Sequence, residues 1–137
     1  SITAYIRAEE KENLSYEWQN KDGKWFYYNW VNEEYATGWN RVKNVWYYFL
    51  ASGEMATGWQ FIDGNWYYLK LSGAMVSGWE KIGNTWYYFS TSGRMLTGWQ
   101  KLGNTWYYFT SSGAMVTGTR TIDGKAYTFS NSGTWLQ

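Results

Sequence analysis

The sequence predicts an all-β fold, an array of stacked β-hairpins, on three observations. A block of about 20 residues recurs through most of the 137-residue chain, and a fixed short period marks a repeat architecture. Turn dipeptides such as Asp-Gly recur at one place inside the block. Flat rings replace branched aliphatics, with 12 Trp, 14 Tyr and 6 Phe, so aromatic faces must do most of the burying.

The elements follow in chain order. Residues 1–15 lack the repeat, are charged, and include a stretch from Ala8 to Asn13 able to hold a helical turn; they read as a linker or a decayed unit. The repeat array is expected over 16–137 as about six hairpins. Trp18 and Trp25 open it with a seven-residue spacing. Trp39, Trp59, Trp79 and Trp99 then recur every 20 residues, as do Trp46, Trp66, Trp86 and Trp106, and Met55, Met75, Met95 and Met115. Glycine keeps the same step from Gly53 to Gly133. In the last unit Thr119 and Ala126 stand where the Trp pair would be; terminal repeats lack one neighbour and commonly degenerate.

Each unit reads as two strands about a two-residue turn: Asp22-Gly23, Lys43-Asn44, Asp63-Gly64, Gly83-Asn84, Gly103-Asn104 and Asp123-Gly124. Counting outward from Gly103-Asn104 sets Leu102 opposite Thr105, Lys101 opposite Trp106 and Trp99 opposite Tyr108. Side chains alternate across a strand. Trp99, Trp106 and Tyr108 therefore share one face, and Leu102, Tyr107 and Phe109 the other. An isolated hairpin is barely stable in water, so the units must stack. Tyr47, Tyr67, Tyr87 and Tyr107 are expected to be core filler.

Composition excludes several functions. The chain has no His and no Cys, which removes Ser-His and Cys-His nucleophiles and disulfides. No acidic pair recurs inside the repeat to serve as glycosidase carboxylates, and no metal-ligand spacing occurs. A net charge of +1 without a basic stretch argues against nucleic acid. No apolar run reaches a membrane span. The start at Ser1 and the end at Gln137 read as a piece of a longer or processed protein.

The pattern G-W-x6-W-Y-Y-F-x3-G-x-M-x-T-G-W, clearest from Gly78 to Trp99, closely resembles the choline-binding repeat, over about residues 16–137. The resemblance implies a left-handed β-solenoid of stacked hairpins. It implies a non-catalytic attachment module, secreted to the bacterial surface, that holds phosphocholine on teichoic or lipoteichoic acids. Any catalytic domain, such as a cell-wall hydrolase, would lie elsewhere in the parent protein. No cofactor is implied, and a choline-linked dimer is admitted.

Carried over residue by residue, the resemblance implies four choline boxes. They are Trp18, Trp25, Tyr48 and Met55; Trp39, Trp46, Tyr68 and Met75; Trp59, Trp66, Tyr88 and Met95; and Trp79, Trp86, Tyr108 and Met115. Trp99 and Trp106 supply two walls of a fifth, with Thr128 at the tyrosine position, so this one is expected to be incomplete. A quaternary ammonium suits such boxes: it cannot donate an N–H hydrogen bond, and each ring face attracts it by roughly 0.5–2 kcal/mol. Individual sites should be millimolar, with avidity on a polymer carrying many choline heads. Carbohydrate-binding repeats of the glucan-binding kind share Tyr-Tyr-Phe and Asp-Gly turns and are the rival reading. Sugar sites add polar side chains for hydroxyls, whereas here paired Trp stands with Met. A purely structural spacer or self-association module is the third reading.

Overall fold

The computed structural model describes residues 15–137. The linker expectation therefore lies, except for Ser15, outside the described residues. Among these, strands succeed one another without a helix: β1 (Tyr16–Lys21), β2 (Lys24–Asn29), β3 (Glu34–Tyr35), β4 (Gly38–Val42), β5 (Val45–Phe49), β6 (Gly58–Ile62), β7 (Asn65–Leu69), β8 (Gly78–Ile82), β9 (Thr85–Phe89), β10 (Gly98–Leu102), β11 (Thr105–Phe109), β12 (Gly118–Ile122), β13 (Lys125–Phe129) and β14 (Trp135–Leu136). Each sheet is one hairpin, extended by a third short strand in the first (β3) and the last (β14). By contact density the chain forms two compact units. Of the described residues, one comprises those up to Gln60 with Tyr68–Met75, the other Phe61–Tyr67 with Val76–Gln137.

The turns form where glycine and short polar residues permit them. Asp22-Gly23, Asp63-Gly64 and Asp123-Gly124 have positive φ at both central residues, the requirement of a type I′ turn. Lys43-Asn44 does the same, at φ 49° and 67°, without a glycine. In Gly83-Asn84 and Gly103-Asn104 only the glycine has positive φ, at 64°, which is the type II′ pattern. Both types match the twist of the flanking strands, so either dipeptide closes the same two-residue loop. The register follows as the turn position requires: Leu102 pairs with Thr105, Lys101 with Trp106, and Trp99 with Tyr108.

Core forms where the phenylalanine face of one hairpin meets the tryptophan face of the one before it, as Phe49 meets Trp18, Phe109 meets Trp79 and Phe129 meets Trp99. Phe49, Leu69, Phe89 and Phe109 close their strands and are fully buried. In the first unit Tyr27, Ala36, Val42, Phe49 and Met55 form the buried cluster, with Tyr16, Trp18 and Tyr47 against it. Burial, and to a lesser degree neighbouring Tyr16 and Tyr47, raises the Tyr27 hydroxyl above its usual pKa, so it stays neutral. In the second unit Val116, Ile122 and Phe129 are packed by Trp99, Tyr108, Tyr127 and Trp135.

Connectors repeat a single hydrogen-bonded device. The Thr110 N–H donates to the Ala114 carbonyl (2.9 Å) and the Gly113 N–H to the Thr110 carbonyl (2.8 Å). Gly113 sits at φ 87°, and a Cβ there would run into the Met95 sulfur, so conformation and close approach both call for glycine. The next residues form the joint to the preceding hairpin. Met115 bridges Phe109, and its N–H donates to the Trp86 carbonyl at 2.9 Å. Met55 does the same to Trp25, at 2.7 Å. Backbone bonding thus ties each methionine to the second tryptophan of an earlier hairpin.

Candidate functional site

The hairpin register builds a repeated aromatic surface. Trp79 lies opposite Tyr88 and Lys81 opposite Trp86, so Trp79 and Trp86 project from one face. Their rings meet edge-to-face, 6.2 Å between centroids at 84°. The following hairpin presents its other face, and Tyr107 stands 4.9 Å from Trp79 at 69°. These rings enclose a cleft of about 410 Å³ lined by Trp79, Trp86, Tyr107, Met115 and Ser132. The backbone tether to Trp86 places Met115 in that wall.

The same construction recurs in the first unit. Trp18 and Trp25 meet at 6.4 Å and 81°, and Tyr47 lies 5.0 Å from Trp18. With Met55, Leu71 and Ser72 they line a cleft of about 340 Å³. A third cleft, also about 340 Å³, is lined by Trp99, Trp106, Tyr127 and Trp135. The second Trp of each of the first two clefts is about two-fifths exposed, Trp86 at 40% and Trp25 at 43%, so ring faces are open to a ligand. No charged side chain lines any of the three clefts, and their walls offer ring quadrupoles, negative over the face; a cation stands close to the third, where the Lys125 Nζ lies 5.5 Å from the Tyr127 ring.

Several expected residues come together: Trp18, Trp25 and Met55 in one cleft, Trp79, Trp86 and Met115 in another. The tyrosines need correcting. Tyr47 lines the first cleft in place of Tyr48, and Tyr107 lines the other in place of Tyr108. The reason is strand alternation. Tyr48 lies opposite Trp39 in its own hairpin, rings 5.0 Å apart, and Tyr108 opposite Trp99, rings 5.2 Å apart. A side chain on the face of its own tryptophan cannot also reach back to the preceding pair. Tyr68 and Tyr88 follow the same parity, 5.2 Å from Trp59 and 5.1 Å from Trp79. It also follows that Tyr47 and Tyr107 are cleft walls and not mere core filler.

Of the second expected box, Trp39 and Trp46 meet edge-to-face at 6.4 Å, and the Met75 N–H donates to the Trp46 carbonyl at 2.9 Å. Of the third, the Met95 N–H donates to the Trp66 carbonyl at 2.9 Å. The incomplete fifth box is overturned. Thr128 is not its third wall; Tyr127 is, 4.9 Å from Trp99, and Trp135 adds a fourth. Trp135 lies 20 residues after Met115 and was legible by counting alone. Leu71 and Ser72 come from a connector two hairpins beyond Trp18, a distance no local pattern signals.

Comparison with known proteins found a matching family model and solved structures of similar fold. Three overlapping stretches, 36–78, 76–117 and 96–136, match the family model described as the choline-binding repeat. A comparison with curated protein sequences found no match. Among solved structures, choline binding protein F from Streptococcus pneumoniae is similar at 41% identity and a TM-score of 0.83, over 87% of this chain and 41% of that one. CbpJ from Streptococcus pneumoniae TIGR4 is 42% identical with a TM-score of 0.84, over 87% and 41%. The multimodular pneumococcal cell-wall endolysin from phage Cp-1, solved with choline, is 34% identical with a TM-score of 0.63, over 90% and 37%. The chain spans about two-fifths of the length of each.

Proposed function

The chain belongs to the choline-binding repeat family, and from that premise we propose that its aromatic clefts hold the trimethylammonium heads of phosphocholine on teichoic or lipoteichoic acids, attaching a larger protein to a bacterial cell wall. The carrying observation is the cleft itself: two tryptophans edge-to-face, a tyrosine from the next hairpin, and almost no polar side chain. A methylated cation needs ring faces and no hydrogen-bond partner, so this lining suits it. A sugar would leave its hydroxyls facing Trp, Tyr and Met with a lone serine, which disfavours the glucan reading. The walls of the proposed sites are Trp18, Trp25, Tyr47 and Met55; Trp79, Trp86, Tyr107 and Met115; and Trp99, Trp106, Tyr127 and Trp135. No group suited to bond breaking lines them, so the chain's part is binding, and any hydrolytic activity belongs to another domain of the parent protein.

Titration of the chain with choline, read by tryptophan fluorescence, tests this. A saturable change in the millimolar range is expected, with no response to equal glucose. Equal response to glucose, or none to choline, would overturn the reading. Replacing Tyr107 by Leu should weaken one class of site, whereas Tyr108→Leu should leave the site count unchanged.

A further inference from the structure

The three clefts share a Trp pair and a tyrosine; the first two add a connector residue at the rim, Leu71 with Ser72 or Ser132, and the three differ in the wall beside the tyrosine. Met55 and Met115 occupy it in two of them, and Trp135 in the third. Trp135 is the structural equivalent of those methionines: it pairs with Phe129 as Met115 bridges Phe109. Its ring stands 5.6 Å from Trp99 at 66° and 5.9 Å from Tyr127 at 66°. The same terminal unit has lost the Trp pair of its own hairpin to Thr119 and Ala126, so Trp135 is no remnant of a generally aromatic repeat.

Resting on the reading of the clefts as quaternary-ammonium sites, we propose that Trp135 makes the Trp99–Trp106–Tyr127 cleft the most cation-selective site of the three. A thioether fills space and is polarizable, but it has no quadrupolar face. Exchanging it for an indole adds one more face to the cage, which amounts to between about twofold and about thirtyfold in affinity for a cation. The gain depends on charge. A neutral molecule of the same shape gains only packing. Array binding is then graded: at low ligand the C-terminal cleft fills first, and the methionine-walled clefts add avidity as more heads arrive.

The test compares choline with its uncharged carbon isostere, 3,3-dimethylbutan-1-ol, by calorimetry on the whole chain and on Trp135→Met and Trp135→Phe. Methionine stands at this position in four other repeats, so Trp135→Met suits the fold; Trp135→Phe keeps a ring face if packing there demands one. The wild-type chain should show one tighter choline site and no such class for the isostere. Trp135→Met should bring that site to the level of the others, a loss of about twofold to thirtyfold for choline alone, and Trp135→Phe should retain part of the gain. Equal loss of choline and isostere would make Trp135 a packing residue and overturn the proposal. Choline binding at one uniform affinity would overturn it while leaving the choline reading intact. No choline binding at all would overturn both.

Discussion

Hairpins 98–109 and 118–129 share a register and differ in almost everything on one face. Gly98–Phe109 and Gly118–Phe129 pair position for position. Their inner faces agree: Phe109 and Phe129 are buried at 0% and 2% exposure, and Leu102 is matched by Ile122. Their outer faces do not. Trp99, Trp106 and Tyr108 in one are Thr119, Ala126 and Thr128 in the other. A hairpin that keeps its geometry without the tryptophan pair shows that turn, connector glycine and inner face suffice for that hairpin. In the earlier one the two tryptophans divide: Trp99 packs on Val116, Ile122 and Phe129 while also lining a cleft, whereas Trp106 stands outside that packing, and this separates a binding residue from the folding residues within one 20-residue repeat.

The sharpest way to break the comparison is at the shared inner face. Phe109→Ala removes a fully buried ring between strand and connector, and should cost about 3–5 kcal/mol. Chemical denaturation should report it as an early loss of part of the array, since coupling between repeats is mainly to neighbours. A cost near that of an exposed substitution would deny Phe109 its place in the fold.

The same separation explains what was legible in the sequence. Turn positions, register and the facing of Trp99, Trp106 and Tyr108 depend on contacts within a dozen residues, and alternation alone yields them. The third wall of each cleft depends on which face of the next hairpin turns back. Family analogy pointed to Tyr48 and Tyr108; the register denied both, because it already placed them beside Trp39 and Trp99. Tyr47 and Tyr107 were thus within reach of strand counting, whereas Leu71 at the rim of the first cleft was not. It stands 92% exposed on a connector with nothing in its local pattern to mark it.

A middle-sized effect sharpens the comparison at the outer face. Trp106→Ala gives hairpin 98–109 the residue that hairpin 118–129 already has at Ala126. Trp106 is only half-buried, so the stability cost should stay at roughly 1–2 kcal/mol, well below that of a buried aromatic. Choline stoichiometry should fall by one site, because Trp106 is one wall of the cleft with Tyr127 and Trp135. A stability loss as large as that of Phe109→Ala, with the site count unchanged, would reverse the division of labour between the two positions.

The smallest effect belongs to the outer face of hairpin 118–129. Thr119 and Thr128 lie opposite each other, and their hydroxyls are hydrogen-bonded at 2.9 Å. This pair stands where Trp99 and Tyr108 stand one repeat earlier. Both threonines are exposed, so water replaces the bond at little cost when it is removed. Thr119→Val keeps the β-branched shape that suits a strand and deletes only the hydroxyl. The denaturation midpoint should therefore move by no more than the equivalent of about 0.5 kcal/mol, the ordinary range for a surface substitution. Choline affinity should not change, since neither threonine lines a cleft. A shift of several times that size would mean that the polar pair carries the stability its aromatic counterparts carry elsewhere, and the outer face would then be part of the folding apparatus in every repeat.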